Sequence, residues 1–253
     1  MLLQFCTSPG TRQVYDTWRE DPRRKEVVPA VMHHRARTVY ELTMKDVQDV
    51  CRQTEHALGE VRRSDGEAVS PIVNWHPDFA FTHMFHICME RGGYLPTYQC
   101  FRSFTEEDEL GQKMLGTPAR QKVREVVENG VPESLARSAM RWRVGNAYYS
   151  FLRETYTVVA LRELGVDVRV HPLADALFRV DAWTGRKVLS LRVGNKKFRE
   201  GDHVGRKIPA ERWLADVTPP MEFAEIELRP ATVFGTVHVP SRDQLRATAS
   251  QLL

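Results

Sequence analysis

The chain has 253 residues, 42% of them hydrophobic and 27% charged, which is apolar material enough for one large or two small domains with a sizeable core. It has no run of about 18 apolar residues to span a bilayer, and the start "MLLQFCTSPGTRQVYD" lacks the charged n-region and apolar h-region of a secretory signal. A cytoplasmic protein without membrane partners is expected; Cys6, Cys51, Cys88 and Cys100 form no CxxC pair, and a net charge of +3 is too small to name a partner.

In chain order, the first 70 residues are mixed, with Pro22 and Pro29 interrupting a polar stretch. "TMKDVQDVCRQTEHALGEVRR" reads as a helix: Thr43 can cap it, Asp46 follows three residues on, and Val47, Val50, Cys51, Thr54 and Leu58 share a face. "RRSDGEAVSP" at 62–71 reads as a linker, because Gly, Ser, Pro and charge follow one another. "FAFTHMFHICMERGG" then packs large apolar residues and ends in Gly-Gly, as a buried helix with a glycine C-cap would.

Four helices are expected over about 105–115, 118–128, 132–142 and 145–164, with Gly165 stopping the last. Beyond Gly165 the period falls to about 2, through "VDVRVHP", "ALFRVDAW", "KVLSLRV", "MEFAEIELRP" and "TVFGTVHVP". A closing helix is capped by Ser241. These signals give an α+β chain with an α/β core: a mixed or helical region over 1–70, a helical region over 71–140, and a core over 141–253 whose mixed β-sheet is flanked by helices.

Charge is unevenly spread. Between Arg186 and Arg212, nine lysines and arginines stand against three acids, and Arg137, Arg141, Arg143 and Arg153 form a second basic stretch with no acid between Ser134 and Arg153. Two one-signed regions that can converge point to a polyanion. Arg141, Arg143, Arg192, Lys196, Lys197, Arg199, Arg206 and Lys207 are the candidate nucleic-acid contacts; Gly194, Gly201 and Gly205 would let the loop that carries most of them follow phosphates.

The stretch "RVGNAYYSFLRETYTVVALRELGVDVRVHPLADALFRVDAWTGRKVLSLRV" resembles the core of the PD-(D/E)xK nuclease superfamily, particularly its resolvase-like and restriction-endonuclease-like branches. Arg143 and Gly145 match the helix entry, Glu154 the helical glutamate, Leu164-Gly165 the helix end, and Asp181 the aspartate on the first arm of a hairpin turning at Thr184-Gly185. The resemblance implies a metal-dependent DNA endonuclease, DNA rather than RNA being the expected substrate, with Mg2+ or Mn2+ held by Glu154 and Asp181. Where the family carries acid-x-Lys, this chain reads Ser190-Leu191-Arg192. A hydroxyl is a poor carboxylate substitute, and arginine keeps its proton. Lys196, in register with Arg192, is the candidate for the missing amine and the third catalytic residue; Glu225 or Glu227 could supply the acid. The alternative is a nuclease-fold subunit that no longer cleaves but binds DNA or partner proteins in a mobile-element or phage-defence assembly. Asp175 is read as a turn or strand-start residue. His76, His83, His86, Cys88 and Cys100 offer zinc-ligand types, but their spacing fits no common finger or ribbon, so core packing is expected and zinc is not.

Overall fold

The computed structural model describes residues 2–193, 209–228, 233–234 and 237–253. Its longer helices are α1 (Pro9–Glu20), α2 (Met44–Gln53), α3 (Phe81–Gly92), α4 (Tyr98–Glu107), α5 (Thr117–Glu128), α6 (Glu133–Glu163), α7 (Pro172–Phe178) and α8 (Arg242–Leu252). Strands β1 (Ala182–Thr184), β2 (Lys187–Val193) and β3 (Glu222–Leu228) form a mixed sheet, with β1 antiparallel and β3 parallel to the central β2. Two short strands, β4 (Val233–Phe234) and β5 (Val237–His238), form a separate pair. The chain is thus α+β: a helical N-terminal region and a small mixed sheet flanked by helices.

Local signals account for several ends. Thr43 and Asp46 make the reciprocal capping box of α2, and Ser241 and Gln244 make that of α8. Gly93 at φ 70° closes α3 and Gly165 at φ 87° follows α6, in a backbone region that other residues enter at a cost. The helix expected to run on to Leu58 stops at Gln53, because Thr54 turns its hydroxyl to accept from the Tyr98 amide at 2.8 Å.

Three expectations are corrected. The helices expected over 132–142 and 145–164 are one helix of 31 residues. Gly145 does not break it: a Cβ there would lie 2.9 Å from the Ala57 carbonyl oxygen, so glycine admits the chain at 56–58 against the helix. The linker expected at 62–71 folds as two short helices, Arg63–Glu67 and Ser70–Val73, and its Gly66 lies so close to the Trp142 ring that a side chain would collide with it. Residues 166–181 form no strand; Arg169 makes a single bridge to Trp183, and "PLADALF" is helix α7, begun by Pro172 at its first position and capped by the His171 ring.

The main core runs through all three stretches distinguished in the sequence, joining Tyr15, Val47, Phe85, Tyr148, Leu189 and Leu245. A second cluster gathers Phe5, Phe178, Trp183, Val188, Leu214 and Val217 on the other face of the sheet. Phe5 meets the edge of Trp183 with ring centroids 5.3 Å apart, so the N-terminal residues complete the C-terminal sheet. Among the described residues no helix is long and apolar enough to cross a membrane.

Candidate metal centre

Asp181 is positioned by a turn rather than by a strand. Helix α7 ends at Arg179 in the left-handed region, φ 61° and ψ 34°, where its amide donates to the Asp175 carbonyl at 2.9 Å and the Val180 amide donates to the Ala174 carbonyl at 3.2 Å. This closure swings the chain back along α7. Asp181 then joins the hairpin: its amide donates to the Leu189 carbonyl at 3.2 Å, and one carboxylate oxygen accepts from the Leu191 amide at 2.5 Å. Continuing the ladder from the Ala182–Leu189 pair sets Asp181 opposite Ser190 at the edge of the sheet.

The same turn brings Asp181 beside Asp175, and α6 carries Glu154 to both. One carboxylate oxygen from each of Glu154, Asp175 and Asp181 lies within 4.8 Å of the others, and all three side chains are half-buried. Among the described residues no other trio of His, Cys, Asp or Glu has its donor atoms this close. Three oxygen donors on separate elements match the preference of Mg2+ or Mn2+ for carboxylates, so the group could hold such an ion.

Asp175 is the member that the sequence did not assign. The sequence pattern makes it a turn or strand-start residue, whereas it stands in the first turn of α7, where the helix dipole favours an acid. The signal was present in "HPLAD": a proline following a capping residue, with an acid three residues further on.

Arg153 is a cation that interacts with this cluster. Burial lowers its pKa, and the nearby charges of Glu154 and Asp181 hold it up. Its Nε donates to the His238 carbonyl at 2.8 Å, which ties β5 to α6 beside the acids.

The remaining sequence candidates divide. Arg141 donates to the carbonyls of Ala57 at 3.1 Å and His56 at 3.2 Å, and Arg143 donates to the Trp75 carbonyl at 3.2 Å while its guanidinium lies 5.4 Å from the Phe81 ring centre. Both close the fold around loops whose carbonyls need donors, and burial lowers the pKa of Arg143. Ser190 is buried and donates to the Arg179 carbonyl at 3.4 Å. Arg192 pairs with Glu225 at 2.9 Å, and a second carboxylate, Glu211, lies at 3.8 Å. The register places Glu225 beside Ser190 and Glu227 beside Arg192, so the acids considered as substitutes do lie on that face, with Glu225 engaged by Arg192. Lys196, Lys197, Arg199, Arg206 and Lys207 lie outside the described residues.

His83 and His86 are buried in the core of the helical region. The rings that approach them come from distant sequence: His34 lies 5.8 Å from His86 and 5.6 Å from His171, between ring centroids. Comparison of the chain with protein-family models, curated proteins and solved structures finds no match.

Proposed function

We propose that this chain is a divalent-metal-dependent endonuclease acting on DNA, with Glu154, Asp175 and Asp181 as the carboxylate ligands. The observation that carries the reading is the convergence of those three acids from α6, α7 and the start of the hairpin. Two of them are the residues that the nuclease resemblance picks out, and the third supplies the carboxylate that Ser190 does not.

Mg2+ or Mn2+ held there would neutralise charge on a phosphodiester and acidify a water. The protein's own groups then have separable tasks. Glu154 and Asp175 hold the ion from two helices. Asp181 would be the third ligand, and its carboxylate is oriented by accepting the Leu191 amide. Arg153 sets a positive charge beside the acids. Arg192 stays on Glu225 and does not release its proton, so the amine that moves a proton at the leaving oxygen is assigned to Lys196.

A second reading is favoured by Ser190 and Arg192, whose buried hydroxyl and ion pair leave the family's usual acid and amine positions structural. In that reading the chain binds DNA or partner proteins within a larger DNA-processing assembly and does not cut.

The test is cleavage of supercoiled plasmid, branched DNA, single-stranded DNA and RNA with Mg2+ or Mn2+, with a gel-shift lane, for the parent chain, Asp175→Asn and Lys196→Ala. The expected result is metal-dependent DNA cleavage reduced at least about 100-fold by either change, the size of a lost catalytic group. Salt-sensitive binding without cleavage establishes the second reading; RNA cut in preference to DNA refutes the assigned substrate.

A further inference from the structure

We infer that Arg179 is a phosphate-binding residue of the acid site, which holds the DNA backbone beside Glu154, Asp175 and Asp181; the inference rests on the proposal that this site takes DNA. Arg179 stands at φ 61° and ψ 34°, and among the described residues it is the only one other than glycine at positive φ. An L side chain enters that region at a cost, because its Cβ crowds the backbone, and helices that end this way mostly do so on glycine, sometimes on asparagine. Where α3, α5 and α6 end, the left-handed position is Gly93, Gly130 and Gly165. Where α7 ends it is an arginine, so strain is kept there together with a long cationic side chain.

The turn at Arg179 is also the one that brings the acids together. Asp175 lies four residues before it and Asp181 two residues after it. Its amide donates to the Asp175 carbonyl at 2.9 Å, and its carbonyl accepts the hydroxyl of the buried Ser190 at 3.4 Å. The backbone of Arg179 is therefore fixed to α7 on one side and to β2 on the other. The residue is only half-buried, and among the described residues its guanidinium has no ion-pair or hydrogen-bond partner.

The other arginines of this region are committed. Arg153 donates to the His238 carbonyl at 2.8 Å, and Arg192 pairs with Glu225 at 2.9 Å. Three clustered carboxylates repel a polyanion, so DNA needs an opposite charge close by, and the planar fork of a guanidinium meets two oxygens of one phosphate. The dipole of α7 also favours a cation at its C-terminal end, but a cation in the last turn would serve it at ordinary backbone angles, and that turn holds none.

The experiment compares the parent chain with Arg179→Gly, Arg179→Asn and Arg179→Lys. It reads urea melts, the shift of the melting midpoint with Mn2+, and binding of a fluorescent DNA duplex over a salt series, with Ca2+ in place of Mg2+. Glycine and asparagine fit the left-handed backbone, so Arg179→Gly is expected to melt at or above the parent's midpoint and Arg179→Asn close to it, each keeping whatever Mn2+ shift the parent shows. Both are expected to bind DNA about ten-fold more weakly, with a slope of log affinity against log salt less steep by about 0.9, the share of one phosphate contact. Arg179→Lys keeps the charge but not the fork, so it restores the slope and part of the affinity. Parental affinity and slope in Arg179→Gly and Arg179→Asn overturn the inference. Weaker binding accompanied in both variants by a lowered midpoint overturns it too, because Arg179 is then a structural residue. A parent chain that binds no DNA refutes the DNA reading and this inference together. A parent chain that binds without cutting refutes only the endonuclease, and weaker binding by Arg179→Gly still supports Arg179 as the contact.

Discussion

The acid trio on the sheet side and the imidazole group in the helical side place titratable side chains close together by opposite means. Glu154, Asp175 and Asp181 remain half-exposed, since three carboxylates crowded within 4.8 Å cannot be taken wholly from water without a cation. His83 and His86 are buried outright, because an imidazole can enter an apolar core by shedding its proton. One group keeps contact with water; the other gives up both water and charge. The two regions should therefore respond differently to pH and to substitution.

The largest effect expected is acid destabilisation from the imidazole side. Burial pushes His83 and His171 down to about 3, whereas in the unfolded chain they titrate near 6.5. Between those values the unfolded state binds more protons, so stability rises with pH and is lost as pH falls from about 6.5 toward about 3. The slope is about 1.4 kcal/mol per pH unit for each histidine, or roughly 2 kcal/mol each by pH 5. Urea melts at pH 7.5 and pH 5 measure it, and equal midpoints at the two pH values would contradict the burial of these rings.

Asp181→Ala should cost less and act on the other side. The substitution removes the acceptor of the Leu191 amide in the ladder between β1 and β2, and an orphaned amide costs about 1–3 kcal/mol. Denaturant melts of the variant should show that loss without any metal present. A variant as stable as the parent would mean that the carboxylate is held only by its neighbours in the acid trio. Loss of cleavage in Asp181→Ala thus mixes chemistry with folding, which is why Asp175 and Lys196 are the better probes of activity.

What was legible in the sequence was local. The capping boxes at Thr43 and Ser241, the glycines after α3 and α6, and the hairpin turning at Gly185 each rest on residues within a few positions of one another. The roles of Gly66 and Gly145 were illegible for the opposite reason. Glycine breaks helices and marks loops by itself, whereas here each is small so that a remote segment can approach, and only the partner reveals that. For Arg141 and Arg143 the sequence displays the charge but not the carbonyls of residues 56, 57 and 75 to which they donate. Glu154 and Asp181 enter the cluster through their resemblance to a motif, and Asp175 stands outside that motif because the alternation in "ALFRVDAW" favours a strand over the helix that Pro172 begins. His34 and His171 lie far along the chain from His83 and His86, and no spacing rule joins them.

Asp175→Asn gives the smallest change in stability and sharpens the contrast furthest. The side chain is half-buried, so its replacement leaves no cavity, and the amide keeps its shape. Two energies oppose each other in the metal-free chain: neutralising one of three clustered carboxylates relieves repulsion, while the helix dipole of α7 loses a favourable charge in its first turn, a term of about 0.3–1 kcal/mol. The melting midpoint without metal should therefore stay within about 1 kcal/mol of the parent's. With millimolar Mn2+ the two should separate, because a ligand that binds only the folded state stabilises it by RT ln(1 + L/Kd), L being the free ligand concentration, and the variant has lost a ligand charge. A parent chain stabilised by Mn2+ beside an Asp175→Asn chain that is not would assign the ion to this trio. Equal stabilisation of both would move the ion elsewhere and leave Asp175 as a helix-start acid, the role that its dipole term alone would justify.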